Sequence, residues 1–227
     1  MKKVLWVFAA VIVVLLIVSC TKPEQPQPEE KDLVTLDATF TEWGDYLCTD
    51  GATDSAWGDK NEIHKAGIMA DKKRLYIAGE FTKEGYNNFM VIVDVVGVEG
   101  ATDTSKHPWG RGYTLADGDI DFVMESWENG QTAWRFTTEE ATVVEVTRAS
   151  TVTENGHVVA EWAVPLSQLG WTEDSTPTVK AVFVLTGGLS DEGTKQWLAD
   201  LYPDQEFGGD GYPVPVTIVN TISYPAE

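Results

Sequence analysis

The residues best suited to chemistry are acids and indoles gathered between positions 94 and 136. Asp117, Asp119 and Asp121 alternate in Asp117-Gly-Asp-Ile-Asp121, with Asp94 and Asp103 upstream and Glu125 downstream. Calcium takes about six to eight oxygen ligands, which aspartates spaced through loops can supply. A calcium site is therefore expected among Asp94, Asp103, Asp117 and Asp119. It is not an EF-hand, because no glycine follows the third acid. His64, His107 and His157 stand in no His-x-x-x-His pattern, and the two cysteines form no Cys-x-x-Cys pair, so the common zinc motifs are absent. A Gly-x-Ser-x-Gly elbow and a phosphate-binding loop are absent too.

The indoles suggest a different use. If Asn129-Gly130 is a two-residue hairpin turn, Trp127 faces Thr132 and Glu125 faces Trp134. Alternation then places Asp119, Asp121, Val123, Glu125 and Trp127 on one face with Thr132, Trp134 and Phe136. Ile120, Phe122, Met124 and Ala133 take the other face, which is apolar and reads as core. A sugar presents apolar C–H faces ringed by hydroxyls, so flat rings beside carboxylates suit it. An outer sheet face with indoles lying over the strands would carry the same pattern. The segment Pro108-Trp-Gly-Arg-Gly-Tyr113 adds two aromatics in a glycine-rich loop. Trp109, Tyr113, Glu125, Trp127 and Trp134 are the expected ligand contacts, while Trp57, Trp197 and Tyr212 are expected in other loops.

These side chains must be carried by strands. Runs at 74–81, 88–94, 120–124, 142–147, 157–164 and 179–185 are β-branched and aromatic, and they alternate or are short and apolar. Asn155-Gly156 is a second hairpin signal. Helical signals are few: one turn at 165–169, and a short helix at 193–201 ended by Pro203. The expected architecture is all-β, an antiparallel β-sandwich formed by one domain at 33–227.

The N-terminus reads as an address. Lys2-Lys3 precedes an apolar run at 4–18, shorter than the about 20 residues a membrane-spanning helix needs. It suits a signal peptide at 1–19. Ile17-Val18-Ser19-Cys20 resembles the lipobox of bacterial lipoproteins, in which the chain is cut before the cysteine and the sulfur acylated. Cys20 is then the lipidation site, and several acyl chains give stable anchoring. Residues 20–32, with three prolines, form a spacer. Cys48 is left without a partner and is expected to be buried and inert. Thr21 is not the aspartate that retains lipoproteins at the inner membrane, so an outer-membrane address is favoured where two membranes exist. The formal charge of −20 becomes two charges more negative once the leader's lysines are removed. Such a surface repels nucleic acid, which is excluded as a partner.

Several segments resemble one family. Leu36-Asp-Ala-Thr-Phe-Thr-Glu-Trp43 is similar to the opening strand and turn of carbohydrate-binding-module family 9-like (DOMON-like) β-sandwiches, with Ala38 where glycine is usual. Asp71-Lys-Lys-Arg-Leu-Tyr-Ile-Ala-Gly79 and Met90-Val-Ile-Val-Asp94 resemble the next hairpin and strand. Ala160-Glu-Trp-Ala-Val-Pro-Leu-Ser-Gln-Leu-Gly170 resembles a later strand and its Pro-Leu turn. Asp200-Leu-Tyr-Pro203 is similar to the closing segment of the glucodextranase C-terminal-type module. The resemblance implies a jelly-roll-like sandwich that binds sugars through aromatic residues, often with structural calcium, and it marks Trp43 and Trp162 as scaffold. It also admits haem-binding members, for which Met69, Met90 or Met124 with His64 or His107 would supply axial ligands, and purely structural ones. Asp119-Ile-Asp-Phe-Val-Met-Glu125 resembles the acidic strand of family 16 glycoside hydrolases but is one residue too long. Retaining hydrolysis needs two carboxyl groups about 5–5.5 Å apart, which this spacing disfavours. The leading expectation is a lipid-anchored, non-enzymatic envelope protein that binds an oligosaccharide or polysaccharide. The alternatives are a haem-binding redox module and a structural component of envelope assembly.

Overall fold

The computed structural model describes residues 31–51, 53–189, 196–205, 212–213 and 216–225. The apolar run at 4–18, Cys20 and the spacer up to residue 30 lie outside them. Contacts divide the chain between Lys31 and Asp32, and the second unit, from Asp32 onward, carries the fold. No helix among the described residues is long and apolar enough to cross a membrane.

The fold is all-β, with antiparallel sheets packed face to face. The smaller sheet comprises β1 (Leu47–Thr49), β2 (Glu62–Ala70), β3 (Arg74–Thr82), β10 (Val158–Pro165) and β9 (Thr147–Val152), paired in that order. The larger sheet runs β13 (Tyr212–Pro213), β12 (Gln196–Tyr202), β11 (Val179–Leu189), β4 (Asn88–Val95), β6 (Phe122–Trp127), β7 (Gly130–Phe136) and β8 (Ala141–Val144), with β15 (Ile222–Tyr224) also on β11. A parallel pair, β5 (Tyr113–Leu115) with β14 (Val216–Ile218), lies apart. Chain crossing between sheets occurs at Glu145 and Val146, where one strand was expected over 142–147. Glu145 N–H donates there to Gln168 Oε1 at 2.8 Å.

The main core fills the space between the sheets, with Ile68, Ile77 and Trp162 from one side and Val91, Met124 and Phe183 from the other. Phe89 of β4 stacks on Phe81 of β3 at 4.6 Å, joining the two layers. The outer face of the larger sheet is covered as well: Met90, Ile92, Val123 and Val184 pack under Tyr113, Leu115 and Ile218. Coverage on both faces explains why β4 reads as an almost unbroken apolar run. Residues 196–201 extend as a strand, not as the expected helix; residues 193–195 of that expectation lie outside the described part. A helix there would leave the hydrogen-bonding edge of β11 unpaired, whereas β12 pairs with it from Tyr202 to Gln196. The expected turn does form, as α1 (Leu166–Leu169), closed by Gly170 at φ +98°.

The outer face of the smaller sheet is covered by residues 33–47. Buried Glu161 on β10 draws them in: its carboxylate accepts Trp43 Nε1–H at 2.7 Å and the N–H groups of Asp37 and Ala38 at 2.8 and 2.6 Å. The tight turn this requires puts Ala38 at φ +59°. A side chain in that region costs about 1 kcal/mol relative to glycine. Ala38→Gly should therefore raise the unfolding free energy by about 1 kcal/mol in urea denaturation. An unchanged or lower value would show that Ala38 is not strained.

Candidate functional site

The β6–β7 hairpin carries the site, with a register that differs from expectation. Trp127 pairs with Gly130 and Glu125 with Thr132, so the connection is residues 128–129 and Asn129-Gly130 is not its central pair. Gly130 serves a different need. A side-chain carbon there would lie 2.9 Å from Trp127 Nε1, so its absence lets the indole fold across the strand. The shift moves each partner by two positions, an even number, so the alternation within β6 and β7 is kept. Ile120, expected on the core face with Phe122, Met124 and Ala133, instead lies with Val123, because it precedes β6 and its regular alternation. Val123, Trp134 and Phe136 do share a face. The second Asn-Gly signal, at 155–156, lies in a longer loop over 153–157 with Gly156 at φ +83°.

That face is not open to solvent at Glu125, which is fully buried. A carboxylate out of water must be paired, since a lone buried charge is strongly destabilising. Arg111 supplies the partner, donating from Nε at 2.5 Å to Oε1 and from Nη2 at 2.7 Å to Oε2. Its Nη1 donates to the Gly187 carbonyl at 2.7 Å, and Asn88 Nδ2 donates to Glu125 Oε2 at 2.8 Å. The fork of hydrogen bonds pulls the 103–112 loop down over β6. Within this loop Thr104 N–H donates to the Tyr113 carbonyl at 2.9 Å, and Tyr113 N–H to Thr104 Oγ1 at 2.8 Å.

His107 is buried inside the loop, its ring 4.4 Å from the Trp134 ring and 5.6 Å from that of Trp109. Its Nδ1 accepts the Trp109 N–H at 3.1 Å, so in the neutral ring the proton sits on Nε2, which faces Glu125 Oε1 at 3.3 Å. Burial is the main cause that pulls the imidazole down to about 4; Glu125 opposes the shift and Arg111 adds to it. Trp109 stands on this base, edge-on to Trp134 at 5.2 Å and tilted toward Trp127 at 6.2 Å.

The outcome is a groove of about 750 Å³ lined by Trp109, Trp127, Tyr86, Asn88, Lys83, Arg111 and Glu128. Tyr86 is 92% exposed and Trp109 37%. Lys83 pairs with Glu128 at 3.1 Å and Arg111 with Glu125, so each cation has its own anion and the groove is electrically balanced on a chain of charge −20. Arg148 Nη2 donates to the carbonyls of Trp127 and Glu128 at 3.1 and 2.9 Å, fixing the hairpin end.

The five expected contacts therefore divide. Trp109 and Trp127 line the groove; Trp134 and Glu125 support it from beneath. Tyr113 is corrected: it begins β5 instead of sitting in a loop, is fully buried, and its hydroxyl bonds Thr186 Oγ1 at 2.9 Å. Tyr86, Lys83, Asn88, Arg111 and Glu128 were not anticipated as site residues. Tyr86 carried a readable signal, an aromatic within the polar turn Glu84-Gly-Tyr-Asn-Asn88.

The expected calcium set is corrected as well. Asp94, Asp119 and Asp121 bring carboxylate oxygens within 4.8 Å of one another. Asp103 instead caps its own loop through Ser105 N–H at 2.8 Å, and exposed Asp117 pairs with Lys180 at 2.8 Å. A side chain at Gly118 would collide with Asp94 Oδ2, so this glycine permits the approach. Asp121 Oδ2 accepts Val95 N–H at 2.7 Å, and Asp119 Oδ2 accepts Gly100 N–H at 2.7 Å. Burial, reinforced by the neighbouring acids, pushes Asp94 up to about 6 and Asp121 up to about 8. Shared protons or an oxygen-loving cation would equally satisfy this group. These acids lie outside the lining of the groove, and Glu125 is committed to Arg111, so the three acids of the hydrolase-like strand do not flank one cleft.

Neither the protein-family models nor the curated proteins compared with this chain give a match.

Two predictions follow from the buried pair and its histidine. Glu125→Gln removes the anion opposite Arg111 and should lower the unfolding free energy by about 3 kcal/mol or more in urea; a loss below about 1 kcal/mol would contradict a desolvated pair. His107 has a folded pKa below its unfolded value of about 6.5, so the unfolded chain binds the extra proton between about 4 and 6.5. Its contribution to stability is complete above that window and fades as pH falls through it. An NMR titration should show no inflection for the His107 ring between pH 5 and 8, and a midpoint near 6.5 would place the ring in water.

Proposed function

We propose that this chain is a lipid-anchored, non-catalytic envelope protein whose β-sandwich holds an uncharged oligosaccharide, or one stretch of a polysaccharide, in the Trp109–Trp127–Tyr86 groove. The observation that carries the reading is the electrical balance of an aromatic groove on a strongly acidic protein. A cationic ligand would gain from the surface acids, and an anionic one would need an unmatched Lys or Arg. The groove favours neither. Its rings suit the C–H faces of a sugar, while Asn88, Lys83 and Glu128 supply hydrogen-bonding groups for hydroxyls. Its volume falls within the roughly 300–1,000 Å³ common for small-ligand sites.

Attachment through Cys20 follows from the lipobox resemblance, and an outer-membrane address from Thr21. The haem alternative draws no support from the side chains. Met124, Met90 and Met69 are buried in three separate core clusters, His107 uses Nδ1 on Trp109, and His64 stacks on His157 at 4.0 Å.

Affinity electrophoresis through gels holding neutral glucans, xylans or mannans tests the reading. At least one polymer should retard the protein, and Trp109→Ala and Tyr86→Ala should each weaken retention by about tenfold, equivalent to about 1.4 kcal/mol. If the folded protein migrates freely through every neutral polymer, the reading fails and the role in envelope assembly takes its place.

A further inference from the structure

A second cluster of acids stands where the two sheets meet. Asp50 follows β1, Asp54 lies in the loop after it, Glu62 opens β2, and Asp200 lies in β12 of the other sheet. Each offers a carboxylate oxygen, and the four oxygens lie within 4.8 Å of one another. Oxygens on opposite sides of a calcium ion, each at about 2.3–2.6 Å, are about 4.6–5.2 Å apart, so the four fit around one such ion.

Glu62 carries the argument beyond mere clustering. It is 2% exposed, and its Oε1 is buried without a hydrogen-bond partner among the described residues. Its Oε2 has a long contact with Ser55 N–H, at 3.4 Å, and the Asp54 backbone also bears on the carboxylate, while Oε1 stays without a partner among the described residues. A carboxylate oxygen left in this state is strongly disfavoured unless something else satisfies it. Asp200, 5% exposed, is oriented by the N–H groups of Ile63 and Leu201 at 2.6 and 2.7 Å. The charged groups bearing on Glu62 and Asp200 are all carboxylates. The Asp94 cluster differs, since Lys180 and Arg135 act on it. Asp54 is exposed and gives the seam site a route to solvent.

We propose that Asp50, Asp54, Glu62 and Asp200 bind one calcium ion that ties the 50–61 loop and β2 of the smaller sheet to β12 of the larger. The donor set is oxygen only, which suits a hard cation and not zinc or copper. The loop is already positioned for this by Ala56 N–H, which donates to the Ala199 carbonyl at 2.8 Å. The site is independent of the groove and of its ligand.

Calcium alone, titrated calorimetrically into the chelator-treated full chain in detergent, tests the assignment. Wild type should bind saturably, and Asp54→Asn should weaken that event by about tenfold or more while leaving the circular dichroism unchanged, because the residue is exposed. Glu62→Gln should remove the event, whereas Asp94→Asn should leave it intact. Should Glu62→Gln fail to fold, Asp54→Asn and Asp94→Asn decide between the clusters. The proposal is overturned if wild type takes up no calcium, if Asp54→Asn binds as tightly as wild type, or if Asp94→Asn alone abolishes binding.

Discussion

The site depends on one constraint: Glu125 lies in the middle of a strand with no access to water. The alternation of β6 aims it at the outer face of the larger sheet, where its neighbours Val123 and Trp134 are apolar. A charge in that position requires a partner brought to it, and breaking such a pair costs about 3–5 kcal/mol. Arg111 comes from a loop, so the pair organises as well as neutralises. Holding Arg111 against Glu125 and the Gly187 carbonyl fixes the last turn of the 103–112 loop. His107 is thereby buried against Trp134, and Trp109 is held upright beside Trp127. The rings that face solvent owe their placement to a charge that does not.

The rest of the sandwich supplies rigidity to that arrangement. The central strands of both sheets are buried on two faces, in the larger under β5 and β14, in the smaller under the segment that Glu161 pins. Glu161 and Glu125 solve the same problem in opposite layers. Each is a fully buried carboxylate on a central strand that accepts several donors from a covering loop. Other acids gather instead, Asp94 with Asp119 and Asp121 near the end of β4, and Glu62 with Asp50, Asp54 and Asp200 where the sheets meet. An acidic chain is thus sorted into acids that recruit loops, acids that gather, and acids left in solvent.

Strand identity was legible because β-branched and aromatic runs at 74–81, 88–94 and 179–185 carry their own signal. The facial pattern of the β6–β7 hairpin was legible too, even though its turn was misplaced, since side-chain alternation has period two and the register moved by an even step. What could not be read was coverage. Nothing local to Glu125 announces that a loop will seal it, and nothing local to Tyr113 announces a strand pairing with residues a hundred positions later. The helix expected at 193–201 failed for the same reason, because the open edge of β11 decides the fate of 196–202 and lies outside that window. Trp109 was recognisable by its flanking proline and glycine and Trp127 by the face it shares with Glu125 and Trp134, whereas nothing local to Arg111, in the same loop as Trp109, marks it as the partner of Glu125.

The proposed occupant of the aromatic groove above the Arg111–Glu125 pair is an uncharged sugar. The most direct measurement is a proton–nitrogen NMR spectrum of the indole N–H groups, recorded while neutral glucan, xylan or mannan oligosaccharides are added. The resonances of Trp109 and Trp127 should move with saturation, while those of Trp43 and Trp162, buried in the scaffold, should stay in place. Indoles that remain still with every neutral oligosaccharide, or shifts confined to tryptophans outside the groove, would contradict it.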